Sequence, residues 1–122
     1  MVRKEKKMSD EYALMELLDK IATEDVLGLK KAEESYGDSW KKRGGVGAFM
    51  MLARKWDRLE NQVTKHNYNV FKAIKSDTRT EGIIDDIQDL RRYLLLVESE
   101  MQSRQIEQES LTKVGGTSSD DE

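Results

Sequence analysis

Residues 83–101 read IIDDIQDLRRYLLLVESEM, and the fold class turns on this stretch. Ile83, Ile87, Leu90, Leu94, Val97 and Met101 recur at steps of three and four, the period of one helical face rather than the two-residue alternation of a strand. The chain contains no proline, so the strongest helix breaker is missing everywhere. Immediately upstream, residues 76–82 (SDTRTEG) read as a loop and helix entry.

Further towards the start, Phe49, Leu52, Ala53, Trp56, Leu59 and Val63 mark a second helix from Val46 into the Asn61–Asn69 region. Asn67 and Asn69 weaken the helix signal there, which leaves its extension through Tyr68, Phe71 and Ile74 open. A first helix carries Leu14, Leu17, Leu18 and Ile21. Ser9 or Asp10 can cap it, Gly28 can kink it, and it continues towards Glu34. Residues 36–45 (YGDSWKKRGG) break the pattern with glycines and turn formers. No run of strand length alternates with period two. The pattern predicts an all-α fold, a small helical bundle over residues 9–110, between a basic flexible arm at 1–8 and an acidic flexible tail at 111–122.

Composition narrows the function classes. The chain has 122 residues, enough for one core, with 37% hydrophobic and 37% charged residues. It has no cysteine and a single histidine, His66, which removes thiolate sites and leaves carboxylates as the main metal-ligand type. Oxygen-loving ions such as magnesium suit that inventory. The net charge of −3 argues against a nucleic-acid polymer as partner. No apolar run approaches the ~20 residues of a membrane span, and the basic start lacks the apolar core of a signal peptide. The expectation is a cytoplasmic protein without membrane contact.

The carboxylates flanking the apolar stripes carry the chemistry. Asp57 and Glu60 lie three residues apart, about 60° around the second helix, beside Ala53, Trp56 and Leu59. Asp86 and Asp89 repeat that spacing beside Ile83, Ile87 and Leu90, with Tyr93 one turn further on; Asp85 points away from the stripe. Packing the two stripes together can bring these flanks close. Four crowded carboxylates repel one another unless a cation neutralises them, and magnesium would also polarise a phosphoryl group. The plainer alternative is a solvated acidic face exchanging ion pairs with Arg54, Arg58 and Arg92.

A family resemblance favours the first alternative. Residues 56–60 (WDRLE) followed by 86–89 (DIQD) resemble the paired acidic motifs of the MazG-like, all-α nucleoside triphosphate pyrophosphatases. Trp56 stands where the first motif begins with an acid, and Asp86 where the second begins with a glutamate. Together with residues 36–40 (YGDSW), 54–61 (RKWDRLEN) and 85–90 (DDIQDL), the pattern is similar to the nucleotide-modification-associated branch of that group, common in bacteriophage genomes. The resemblance covers roughly residues 30–97.

It implies a magnesium-dependent nucleoside triphosphate pyrophosphohydrolase, releasing nucleoside monophosphate and pyrophosphate, commonly a homo-oligomer, here in a bacterial host's cytoplasm if phage-encoded. Asp57, Glu60, Asp86 and Asp89 become the metal ligands, with Glu60 and Asp86 as catalytic carboxylates. Tyr93 becomes a substrate-facing residue, and Glu34 or Asp38 can compensate for Trp56. Tyr36 and Trp40 can stack on a base, while Arg43 and Arg79 can meet phosphates. The alternative is a non-catalytic phage protein that sequesters nucleotides or nucleotide-derived signals, a reading motivated by Trp56. Residues 44–47 (GGVG) are not a P-loop, because no G-K-[ST] follows and no strand precedes them.

Overall fold

The computed structural model describes the backbone of residues 2–113 and the side chains of residues 10–112. Every regular element among them is helical: α1 (Val2–Tyr36), a single 3-10 turn (Ser39–Lys41), α2 (Gly44–Thr64), α3 (Val70–Ser76) and α4 (Ile83–Lys113). None of these helices is long and apolar enough to cross a membrane. The chain divides into two compact units, Met1–Ser39 and Trp40–Glu122.

The first unit is built on α1. Its helical backbone starts at Val2, so Ser9 and Asp10 lie inside the helix instead of capping it, and Gly28 is taken up without a break. Lys4, Glu5, Lys6 and Lys7 are good helix formers and give the chain no reason to stop before Ser9. Gly37 ends the helix at a φ of +56°, and its N–H donates to the Glu33 carbonyl at 2.9 Å. This is the left-handed exit that glycine adopts without a Cβ penalty. Residues 111–113 of the expected tail belong to α4, and residues 114–122 lie outside the described residues.

The second unit packs α2 chiefly against α4, with α3 touching both. Asparagine chemistry decides the break after α2. Asn67 and Tyr68 take left-handed φ values of 56° and 62°, and Asn69 then caps α3, its Oδ1 accepting the N–H groups of Phe71 and Lys72, each at 3.1 Å. The second helix therefore does not run through Phe71 and Ile74; a separate short helix carries them.

The entry to α4 is built from carboxylates. The Ile83 N–H donates to Asp77 Oδ2 at 2.5 Å, and the Gly82 N–H donates to Asp85 Oδ2 at 2.9 Å. The second contact is the returning half of a capping box. Gly82 has to be small, because a Cβ there would overlap Asp77 Oδ2.

Little of this unit is deeply buried. Ala48, Ala73, Ile83 and Tyr93 are its buried hydrophobic residues among those described. Leu52, Leu59, Leu90 and Val97 are half-buried along the α2/α4 seam. Val46 and Phe49 are 78% and 67% exposed, so one face of α2 stays outside the seam.

Candidate functional site

Asp86, Asp89 and Tyr93 stand at i, i+3 and i+7 on α4, within about 60° of one another around the helix. Their environments differ sharply. Asp86 is 5% exposed, and its Oδ2 accepts from Arg79 Nη2 at 3.3 Å. Asp89 is half-exposed and accepts from Lys55 Nζ at 2.7 Å across the seam. Tyr93 is buried, with Trp40 meeting its ring edge-on at 5.8 Å between centroids and an interplanar angle of 80°. Lys55 Nζ also lies 5.4 Å from the Tyr93 ring centroid, within cation–π range. Lys55 thus ties Asp89 to the aromatic pair.

The Tyr93 hydroxyl is buried and makes no hydrogen bond. Burial pushes its ionisation above the usual phenol value, so it stays protonated and can donate. A buried hydroxyl without a partner is the kind of group that a bound molecule can satisfy.

Arg79 anchors the other end of the row. Its Nε donates to Asp77 Oδ1 at 2.9 Å and its Nη2 to Asp77 Oδ2 at 3.2 Å, while its own backbone N–H closes a short turn onto Asp77 Oδ1 at 3.3 Å. The Arg79 guanidinium, followed by the Ile83 N–H, holds the Asp77 carboxyl down at about 2. The same hydrogen bond to Asp77 raises the guanidinium's own value further.

The two acids expected from α2 are placed differently. Asp57 is exposed in a shallow depression with Arg54, Lys55, Arg58 and Asn61, and Glu60 is exposed as well. Among the described residues, no group of three or more histidine or acidic side chains is arranged to hold a metal ion. The repulsion that the sequence alone assigns to a magnesium ion is met within the chain for Asp86 and Asp89, through Arg79 and Lys55. To magnesium these two residues offer a pair of carboxylates one turn apart.

Of the remaining candidates, Tyr36 is 73% exposed and Asp38 is exposed too, both in the unit built on α1. Arg43 is exposed at the N-cap position of α2, where no side chain caps the helix. Beside the seam, Trp40, Ala48, Phe49, Leu52, Val97 and Met101 line an apolar cleft of about 200 Å³. At its rim Glu100 accepts from Lys41 at 2.7 Å and from Arg104 at 2.8 Å. The Lys41 ammonium, then Arg104, holds the Glu100 carboxyl below its ordinary range.

Sequence reasoning did not single out Lys55, Asp77 or Glu100. Only Asp77 had a local signal: an aspartate two residues before an arginine and five before a helix-opening glycine suits both a turn and a cap. Lys55 and Glu100 find their partners across 34 and 59 residues of sequence, which no local pattern announces. No protein-family model, curated protein or solved structure matches the chain.

Proposed function

We propose that the α2/α4 seam binds a nucleoside triphosphate together with magnesium and hydrolyses it to nucleoside monophosphate and pyrophosphate. The observation that carries this reading is the row Asp86, Asp89 and Tyr93 on α4, faced by the cations Arg79 and Lys55 and closed by Trp40. The resemblance of residues 36–40, 54–61 and 85–90 to the MazG-like pyrophosphatases supports the same assignment.

The ion pairs define how such a site fills. Phosphate oxygens compete for Arg79 and Lys55, and each guanidinium or ammonium drawn to phosphate frees a carboxylate for a divalent cation. Nucleotide and metal then bind together better than either binds alone. Bound magnesium would neutralise phosphate charge and acidify the attacking water. The water oxygen bonds to the α-phosphorus, and the bond from that phosphorus to the bridging oxygen breaks, with its electron pair leaving on pyrophosphate. The water's proton passes to a carboxylate. Asp86 is the better placed of the two catalytic candidates, because it is buried and held by Arg79, whereas Glu60 faces solvent. Trp40 offers a face for the base and the Tyr93 hydroxyl a donor.

The test is incubation with a panel of nucleotides and magnesium, read out as monophosphate plus pyrophosphate. Conversion that disappears in Asp86→Asn supports the reading. Unchanged turnover in both Asp86→Asn and Glu60→Gln removes these carboxylates from the mechanism.

A specific observation also favours a second reading, non-catalytic sequestration of a nucleotide or nucleotide-derived signal. Asp86 and Asp89 are each engaged by a cation, and the described residues hold no larger cluster of acids. Tight retention of a nucleotide recovered intact would select it over hydrolysis.

Either reading goes with assembly into a homo-oligomer. Leu94 and Leu95 on α4 are 48% and 38% exposed, and Leu14, Leu17 and Leu18 on α1 are at least half-exposed. Apolar surface of this extent is ordinarily covered by another molecule. Sedimentation at micromolar concentration should show more than one copy, and a purely monomeric profile contradicts this part of the reading.

A further inference from the structure

A second cavity, of about 280 Å³, opens where the end of α2, α3 and the loop before α4 meet. Gln62, Lys65, His66, Ser76, Thr78 and Arg79 contribute to its wall. Among the described residues, the side chains of Gln62, Lys65, His66, Ser76 and Thr78 make no hydrogen bond or ion pair, and Arg79 Nη1 has no partner either. Each of these groups can donate, and two carry a fixed positive charge. The one acid in the wall, Asp77, already accepts from Arg79 and from the Ile83 N–H. The cavity therefore presents unused donors around a carboxylate whose own demands are met.

From this arrangement we infer an oxyanion site for a phosphate group, at the level of phosphate or pyrophosphate. Its volume of about 280 Å³ has room for a phosphate or pyrophosphate group. Charge supports it as well. Lys65 and Arg79 against Asp77 leave a surplus of one positive charge, and His66 adds an N–H donor in either tautomer that turns its proton inward. Serine and threonine hydroxyls with a lysine and an arginine are the donor set that recognises phosphate. Arg79 also connects the cavity to Asp86 at 3.3 Å. An anion drawing on Arg79 from the cavity side thus acts on the same guanidinium that holds the Asp86 carboxylate.

The site is testable without magnesium or nucleotide, so its fate is separate from that of the hydrolysis reading. Inorganic phosphate and pyrophosphate are titrated into the full chain in metal-free buffer of constant ionic strength. Amide shifts and heats of binding are recorded. Saturable binding is expected, with shifts at Lys65, Thr78 and Arg79. Lys65→Ala should weaken it about tenfold, the effect of one charge-assisted hydrogen bond, and Thr78→Val by a few-fold. Lys72→Ala, on α3 outside the cavity wall, should leave it unchanged, and circular dichroism verifies the fold of each variant. Displacement of pyrophosphate by a nucleoside triphosphate assigns the group to an esterified ligand, and absence of displacement assigns it to the free anion. Binding that fails to saturate by ~10 mM, or that survives intact in both folded variants Lys65→Ala and Thr78→Val, overturns the inference.

Discussion

Replacing Tyr93 with phenylalanine should stabilise the fold and weaken ligand binding, two effects of opposite sign from one atom. The ring is buried against Trp40, with Lys55 above it, and both contacts survive in Tyr93→Phe. Only the hydroxyl is lost, and it has no hydrogen-bond partner. A buried polar group left unsatisfied costs about 1–3 kcal/mol, and an isosteric apolar replacement removes that cost. The new phenyl edge regains no hydrogen bond, so a gain of about 1 kcal/mol is expected rather than the full range. Urea unfolding measures it as a raised midpoint with an unchanged slope. Tyr93→Ala, by contrast, removes the ring and its edge-on and cation–π contacts and should cost about 3–5 kcal/mol. In the proposed site the same hydroxyl donates to the nucleotide, so Tyr93→Phe should lose affinity while gaining stability, the usual signature of a residue kept for function. A destabilisation of about 1 kcal/mol or more in Tyr93→Phe would refute the reasoning, because it would mean that the hydroxyl is bonded in solution.

Other perturbations test the frame around the site. Gly82→Ala places a Cβ against Asp77 Oδ2, which Arg79 and the Ile83 N–H hold in place, and should lower stability by about 1–3 kcal/mol in urea unfolding. Asn69→Ala removes the cap of α3 and should cost about 1 kcal/mol by the same assay. Asp77 ionises at about 2 in the folded chain against 3.8 ordinarily, so its contribution is fully present above pH 3.8 and is lost as pH falls through about 2. Acid unfolding of Asp77→Asn should accordingly show a shallower loss of stability between these values than the wild type does.

The helical fold was legible because its signals are local. The apolar stripe from Ile83 to Met101 forms one side of α4, the expected turn precedes that helix at residues 77–82 while Ser76 closes α3, and Asn69 turns an ambiguous region into a break followed by a cap. The start of α1 was less legible, since Ser9 and Asp10 are good caps only where a helix begins and the charged residues before them are themselves helix formers. At the site, the i,i+3 spacing correctly puts Asp86, Asp89 and Tyr93 on one side of α4. Whether such carboxylates meet one another or meet cations depends on how α2 is rotated against α4. That rotation is set by packing, and nothing in residues 54–61 announces that Lys55, rather than Asp57 or Glu60, reaches Asp89.

Mass spectrometry of a nucleotide mixture incubated with the chain and magnesium puts the central proposal to its most direct trial. The expected result is a nucleoside triphosphate converted to its monophosphate and pyrophosphate, with conversion lost in Asp86→Asn. A mixture in which no nucleotide is converted, whether or not one is retained intact by the protein, would contradict it.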